Sequence, residues 1–525
     1  MAQLERGSLL VGGRELLVRA PPNVTLRPAG TGVADDDARA AFLGARAAAA
    51  SSRHVFSVRH LASGWRWLSL FRFKIWWMMP TTGVGAAAVP AETQMLLLES
   101  TIEAGSEAAT ERGSLYALML PVLDGGFRAS LQGSPEDELQ FCFESAFHIF
   151  SFSHVLFTFI TKYQIPSNLD WFGWCTWDAF YKAVNPSGIE EGLQRLSDLK
   201  ENHKFRGETC KNLEDLIKKI KEKHGVKYVY MWHALLGYWG GILATSDAMK
   251  KYNPEFVYPV QSPGNVANLR DIAMDSLEKF GVGIVDPDKI YEFYNDQHSY
   301  LSSVGVDGVK SKHESAEFHG AARALSGGGV YVSDKPGVHD FSVLKKLVLP
   351  DGSILRARYA GRPTRDCLFT DPVMDGKSLL KIWNVNNFTG VTGVFNCQGA
   401  GQWVWPVKET AYVPININIT GQLSPSDVES LEEIAGDDWN GETAVYAFSS
   451  CSLSRLQKHQ SLEVSLSTMT CEIYNISPIK IFSEVVRFAP LGLIDMFNSG
   501  GALHNVSSIA DSSATTIHIR CQGPG

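Results

Sequence analysis

Short runs in which apolar and polar residues alternate dominate the first 165 positions. SLLVGGRELLVRA and YALMLPVLDGGFRASLQ alternate with period two and are broken by Gly and Pro, the pattern of antiparallel strands with one face toward a core. An N-terminal β-sandwich over residues 1–165 is expected. Within it, the Ala-rich stretch Asp35–Ser52 opens on three aspartates that suit a helix N-terminus, which predicts a short helix or a loose loop. The run from Cys142 to Tyr163 is nearly continuous apolar sequence. Glu144, His148 and His154 lie within it, and its charge-free part falls short of the ~20 residues a membrane span requires, so a buried segment is expected and no membrane partner.

From Trp171 to Asp340 the period changes. KNLEDLIKKIKEKHG sets Leu213, Leu216, Ile217 and Ile220 on one helical face and stops at Gly225, after which VKYVYMW predicts a strand. GVGIVDPDKIYEFYNDQHSYLSSVGVDGVK repeats the unit, a helix leading into a strand that closes at Lys310, and GGGVYVSD, residues 327–334, is a third strand. Helices alternating with short apolar strands build an α/β domain. After residue 345 strands return in SILRARYA, LLKIWNV, GVTGVFNCQG and LEVSLSTMTCEIYNI. The fold class is therefore multidomain α/β plus all-β, with boundaries at 1–165, 166–344 and 345–525.

Length agrees, because 525 residues exceed the roughly 250–300 at which a single core stops growing. A net charge of -8 with no dense Lys/Arg block removes nucleic acid from the partners. The eight cysteines, at 142, 175, 210, 367, 397, 451, 471 and 521, form no CxxC pair, which argues against a disulfide scaffold and fits a reducing cytosol. Glu5 and Glu15 stand where an export signal would be basic and then apolar, so a cytoplasmic location is expected.

Candidate chemistry is concentrated in LDWFGWCTWDAFY, residues 169–181, where Trp171, Trp174 and Trp177 lead directly to Asp178. Flat rings stack on the C–H faces of a neutral sugar and a carboxylate bonds its hydroxyls; the bland alternative is that these indoles are core. MWHALLGYWGG places Trp232 and His233 at the end of a strand, and a structural role for His233 is the simpler reading. His313 and His319 lack ligand spacing. Gly376-Lys377-Ser378 resembles the end of a phosphate loop, but Asp371 holds the glycine position upstream. The glycines of Ser326-Gly327-Gly328-Gly329 are explained by a tight approach to a strand.

The segments GWCTWDAFY, MWHALLGYWGG, VGVDGVK, SKHESAEFHGAARALSGGGVYVSDKPG and GVFNCQGAGQWVWP resemble the plant raffinose synthase, seed imbibition protein and alkaline α-galactosidase group in family 36 of the glycoside hydrolases, over most of the chain. The resemblance implies an N-terminal β-sandwich, a central (β/α)8 TIM-type barrel and a C-terminal antiparallel β-domain. It implies galactosyl transfer from galactinol to sucrose, or hydrolysis of raffinose-type α-galactosides, by a retaining two-carboxylate mechanism with no metal or organic cofactor. By matching motif, Trp174, Trp177, Asp178, Trp232 and Asp334 are substrate contacts, and Lys310 is the lysine that neighbours the nucleophile.

Three departures follow from the same resemblance. The strand matching GVDGVK continues in the family as Val-Asp, so the nucleophile belongs two positions after Lys310, where this chain has Lys312. The sequence then passes directly to SKHESAEFHG, and the strand carrying the acid/base aspartate is skipped. After SDLK, residues 197–200, the substrate-binding Asp-Asp-Gly-Trp strand is missing, and the apolar run before Ile165 replaces a polar stretch. All three look like altered splicing or misjoined sequence. About 170 residues remain from Trp171 to Asp340, against the ~200 minimum for such barrels, so the barrel is expected to be shortened and the chain itself to lack turnover. The alternatives are a catalytically silent sugar-binding relative and a non-productive splice product.

Overall fold

The computed structural model describes residues 2–28, 40–74, 77–100, 115–121, 128–144, 150–155, 172–175, 189, 213–231, 241–258, 280–303, 308–309, 317–332, 340–399, 416–482, 486–510 and 515–522. Strands far outnumber helices in it. The chain divides into two compact units, residues 1–163 with 234–293, and residues 164–233 with 294–525.

In the first unit one antiparallel sheet runs from Ala2–Glu5 through Ser8–Val11, Arg14–Val18, Arg53–Leu61, Leu139–Glu144, Arg128–Gly133, Thr93–Ser100 and Trp65–Lys74 to Trp77–Val84, with Leu115–Met119 also paired to Thr93–Ser100. A three-stranded sheet of Phe150–Val155, Ala41–Ser51 and Val24–Pro28 adds Val24 and Leu43 to the same apolar core as Leu17, Leu96, Leu98, Phe141 and Phe143. The indole of Trp67 lies in that core because Gly83 opposite it has no side chain; a Cβ there would sit 2.5 Å from the ring. The Trp67 N–H donates to the Gly85 carbonyl at 2.7 Å, so its one polar atom is satisfied.

The helix or loop expected over Asp35–Ser52 is corrected by this sheet: residues 41–51 are a strand. Alanine's helix preference is worth under about 1 kcal/mol per residue. It loses here because Leu43 finds Leu26 on one side and Val155 on the other, and Ala45 is fully buried. In the apolar run after Cys142, residues 142–144 end a strand and 150–155 form another, while 156–163 lie outside the described residues. Among the described residues no helix is long and apolar enough to cross a membrane.

Charge is also paired across the first sheet. Register sets Glu144 between Arg128 and Arg53 on adjacent strands, and Arg128 grips Glu92 through two bonds of 2.6 and 2.8 Å while also reaching Glu144. Arg53 donates to Glu144 at 2.9 Å. Burial disfavours the charged form of Arg128, yet its bonds to Glu92 and Glu144 and their charges outweigh that and hold its pKa above the usual arginine value.

The second unit carries an antiparallel sheet in the order Arg362–Pro363, Leu380–Val385, Gly390–Phe395, Cys471–Pro478, Glu442–Ala447 and Ser452–Gln457, with a separate pair of Ile419–Leu423 and Leu462–Leu466. Trp383, Val385, Leu423 and Ile476 are core residues there. Three of the four strand segments expected after residue 345 are present. SILRARYA is the exception: apart from an isolated bridge between Val348 and Ile354, no described ladder includes it, and its strand expectation is corrected. Its Ser353, Ile354, Leu355 and Ala357 are buried, but the neighbouring backbone is bonded through Arg358 to Val385 and through Tyr359 to the Asn384 side chain.

Arg128→Ala leaves Glu92 and Glu144 buried without their main partner and is expected to cost about 3–5 kcal/mol in denaturant unfolding, whereas Arg59→Ala, which removes a solvent-facing pair with Glu138, is expected to cost about 0–1 kcal/mol. Burial pushes the thiols of Cys142 and Cys397 up to about 11, so both stay protonated at pH 8. Native alkylation followed by peptide mapping is expected to label the exposed Cys451 and Cys521 first and leave those two unmodified.

Candidate functional site

Two pairs of very short parallel strands lead into the candidate residues. Gly173–Trp174 pairs with Tyr331–Val332, Gly173 opposite Tyr331 and Trp174 opposite Val332. Tyr230–Met231 pairs with Gly308–Val309. Parallel partners leave a pair at the same end, the geometry by which a barrel gathers strand C-termini on one face. The first pair thus ends at Trp174 and two residues before Asp334; the second ends one residue before Trp232 and before Lys310. Of the candidates, Trp174 is described and half-buried, while Trp177, Asp178, Trp232, Lys310 and Asp334, with Lys312 and His233, lie outside the described residues.

The strand Tyr331–Val332 is placed from the C-terminal side of the chain. The helix Glu317–Leu325 buries Ala321, Ala324 and Leu325 in a core with Val330, Val391, Phe395 and Ile473, the last three of these from the C-terminal sheet. Gly393 makes that packing close: a Cβ there would lie 2.2 Å from the Leu325 side chain. The Asn384 side-chain amide donates to the Leu325 carbonyl at 2.8 Å and so caps the helix end. From this anchor the backbone reaches Val330, whose carbonyl accepts from the Gly173 N–H at 2.9 Å, and the Phe172 N–H donates to Gly352 at 3.0 Å.

The glycine-rich segment before this strand does make a close approach, but to Tyr359, which lies in no described strand, and not to a strand as expected. Gly327 has φ of +69°, and a Cβ on it would lie 1.8 Å from the Tyr359 carbonyl, so the close approach admits no side chain. Gly376-Lys377-Ser378 is likewise a turn: the Asp375 carboxylate accepts from the backbone of Lys377 and Ser378 at 2.9 and 2.8 Å, and Gln398 Oε1 accepts from the Gly376 N–H. Burial pushes the Asp375 carboxyl up, but those bonds and the Ser378 hydroxyl more than offset this and hold it below the usual range. The backbone donors that a phosphate loop would offer are spent on that carboxylate. Nothing in the sequence marks Tyr331, yet it faces Gly173 and carries the Arg323 guanidinium 5.1 Å over its ring. Among the described residues no cluster of three His, Cys, Asp or Glu could hold a metal.

The family model described as raffinose synthase or seed imbibition protein Sip1 matches residues 2–158, 146–199, 194–312 and 309–525. Its four pieces meet at 146–158, 194–199 and 309–312, at or beside the three departures read from the sequence. Probable galactinol–sucrose galactosyltransferase 1 of Arabidopsis thaliana is 33% identical over 698 aligned residues, covering 98% of this chain and 92% of that protein. The galactinol–sucrose galactosyltransferase of Oryza sativa subsp. japonica is 30% identical over 715, covering 99% and 90%. Both alignments are longer than the 525 residues of this chain, so the relatives hold stretches with no counterpart here. A putative α-galactosidase from Bacteroides fragilis matches 81% of the chain and 95% of its own at 11% identity with a TM-score of 0.28, too slight a likeness to argue from.

Gly327→Ala forces a side chain into the Tyr359 carbonyl and a left-handed backbone that costs an L-residue about 1–2 kcal/mol by itself. A clear loss of thermal stability is expected, while Gly328→Ala, which meets only the Ser326 hydroxyl at 3.4 Å, is expected to melt close to wild type.

Proposed function

The chain belongs to the raffinose synthase or seed imbibition protein family, and from that premise we propose that it is a relative of the α-galactosyl transferases and hydrolases that has lost turnover. Its ancestral chemistry is galactosyl transfer from galactinol to sucrose, in keeping with the names of the relatives it matches, or release of galactose from raffinose by the same displacement. We place the chain in the cytoplasm and read it as a β-sandwich over 1–165, a shortened barrel over 166–344 and a C-terminal β-domain over 345–525.

The observation that carries this reading is the break in the family match at 309–312. A retaining displacement uses one carboxylate to attack the anomeric carbon and form a galactosyl ester. A second, about 5–5.5 Å away, protonates the departing oxygen and later takes a proton from the acceptor hydroxyl. Lys312 stands at the nucleophile's position by motif. An ammonium carries no lone pair to attack with and places positive charge beside a carbon that becomes positive in the transition state, so it opposes the reaction. The stretch that holds the acid/base aspartate in the family has no counterpart between Lys312 and Glu317.

A second reading, sugar binding without turnover, draws on the two parallel strand pairs, of which one strand ends at Trp174 and the others shortly before Trp232 and Asp334 in the sequence. Galactosyl transfer from galactinol to sucrose and galactose release from raffinose are both expected to stay at the level of buffer for the purified chain. Turnover that tracks protein concentration contradicts the proposal. Calorimetric titration with raffinose separates the two readings: saturable heat that is weakened at least tenfold in Trp174→Ala supports a silent binder, and no heat supports a non-productive product.

A further inference from the structure

The strands Leu503–Ala510 and Thr515–Cys521 form an antiparallel ribbon, and among the described residues neither pairs with a third strand. A two-stranded ribbon is marginal in water by itself and becomes stable when further strands or a packed face are added. Its base is held: Leu503 is buried, the Gln522 N–H donates to the Ala502 carbonyl at 2.7 Å, and the Gln522 side-chain amide donates to the Ser353 hydroxyl at 2.8 Å. Beyond that base the ribbon opens to solvent, with Thr516, His518 and Arg520 exposed and Ile519 44% exposed. We propose that the open edge of Thr515–Cys521 docks a second copy of this chain, the two strands pairing antiparallel about a two-fold axis at His518.

Successive side chains of a strand alternate between faces, so Ile517 and Ile519 share one face with Val506, which lies opposite Ile519, while Thr516, His518 and Arg520 share the other. Open edges are ordinarily guarded by lysine, proline or a bulge. One edge strand of each large sheet carries such a guard, Pro80 in Trp77–Val84 and Pro363 in Arg362–Pro363. Thr515–Cys521 has neither proline nor lysine, and its one formal charge is Arg520.

The register this strand can adopt against itself identifies the occupant. A two-fold axis perpendicular to the sheet sets like faces together and passes through a residue. At His518 it pairs all seven residues of the strand: Ile517 meets Ile519 of the second copy in two symmetric apolar contacts, and Arg520 meets Thr516. The two Arg520 side chains are then separated by the span from 516 to 520, about 13 Å at ~3.3 Å per residue, beyond the screening length of about 8 Å at physiological salt. An axis at Ile517 or Ile519 leaves only 515–519 or 517–521 paired, and one at Arg520 sets two like charges opposite each other. The product is a four-stranded antiparallel sheet whose apolar face, Val506, Ile519 and Ile517, continues into the same residues of the second copy and supplies the strands that the ribbon alone lacks. The contact is small, so a weak, concentration-dependent dimer is expected.

Sedimentation velocity of the full chain over a rising concentration series tests this. The average mass is expected to climb from monomer toward dimer, and Ile519→Lys, at an exposed site, is expected to weaken association at least tenfold with an unchanged melting curve. A second measurement does not depend on that variant. With the exposed Cys451 and Cys521 both replaced by serine, His518→Cys is expected to give a disulfide-linked dimer with oxidised glutathione, because residues directly opposite across antiparallel strands have Cα atoms about 4.5–5.5 Å apart, within reach of a disulfide. Ser507→Cys in the same background stands three strand spacings, about 14 Å, from its counterpart and is expected not to crosslink. A monomer at every concentration, or a dimer that Ile519→Lys does not weaken and His518→Cys does not crosslink, overturns the proposal.

Discussion

Cleaving an acetal with retention requires two carboxyl groups held on opposite sides of one carbon to within a fraction of an ångström, by strands that are themselves fixed by neighbours on both edges. That constraint governs everything in the middle of this chain. A β-domain can lose a loop and keep its core, since antiparallel neighbours are close in sequence. A parallel barrel cannot lose strands so cheaply, because each one is the hydrogen-bonding partner of two others. The pieces of the family match meet in the central region at 194–199 and 309–312, and the parallel strands described there stand in pairs.

What survives is held from the C-terminal side. Leu325 packs over Gly393, Asn384 caps the helix end, and the Val330 carbonyl takes the Gly173 N–H. The strand carrying Trp174 is therefore positioned by a core that lies downstream of the break at 309–312. On the reading proposed above, scaffold and chemistry have come apart: the short parallel pairs persist, while Lys312 stands where the family's nucleophile belongs by motif.

The sequence conveyed local order well and long-range order poorly. The helix Leu213–His224 was legible because Leu216, Ile217 and Ile220 repeat at helical spacing and Gly225, at φ +63°, ends it. Leu380–Val385 and Gly390–Phe395 were legible as β-rich runs between turns. Ala41–Ser51 was not, since its pairing partners decide its state and alanine content alone points the other way. SILRARYA is apolar and half buried without a ladder, a distinction that only hydrogen bonding reveals. The candidate residues were singled out by motif alone, and of them only Trp174 is described, whereas the parallel pairing of residues 173–174 with 331–332 spans more than a hundred positions and has no local signature.

Covalent trapping addresses the missing nucleophile most directly. The nucleophilic carboxylate of a retaining enzyme displaces the leaving group of an activated 2-deoxy-2-fluoro-α-galactoside and is held as a fluorogalactosyl ester, adding one fluorogalactosyl mass to the intact protein. The account expects the mass of this chain to remain unchanged after prolonged incubation. A stoichiometric adduct that maps to an aspartate or glutamate of the central region contradicts it.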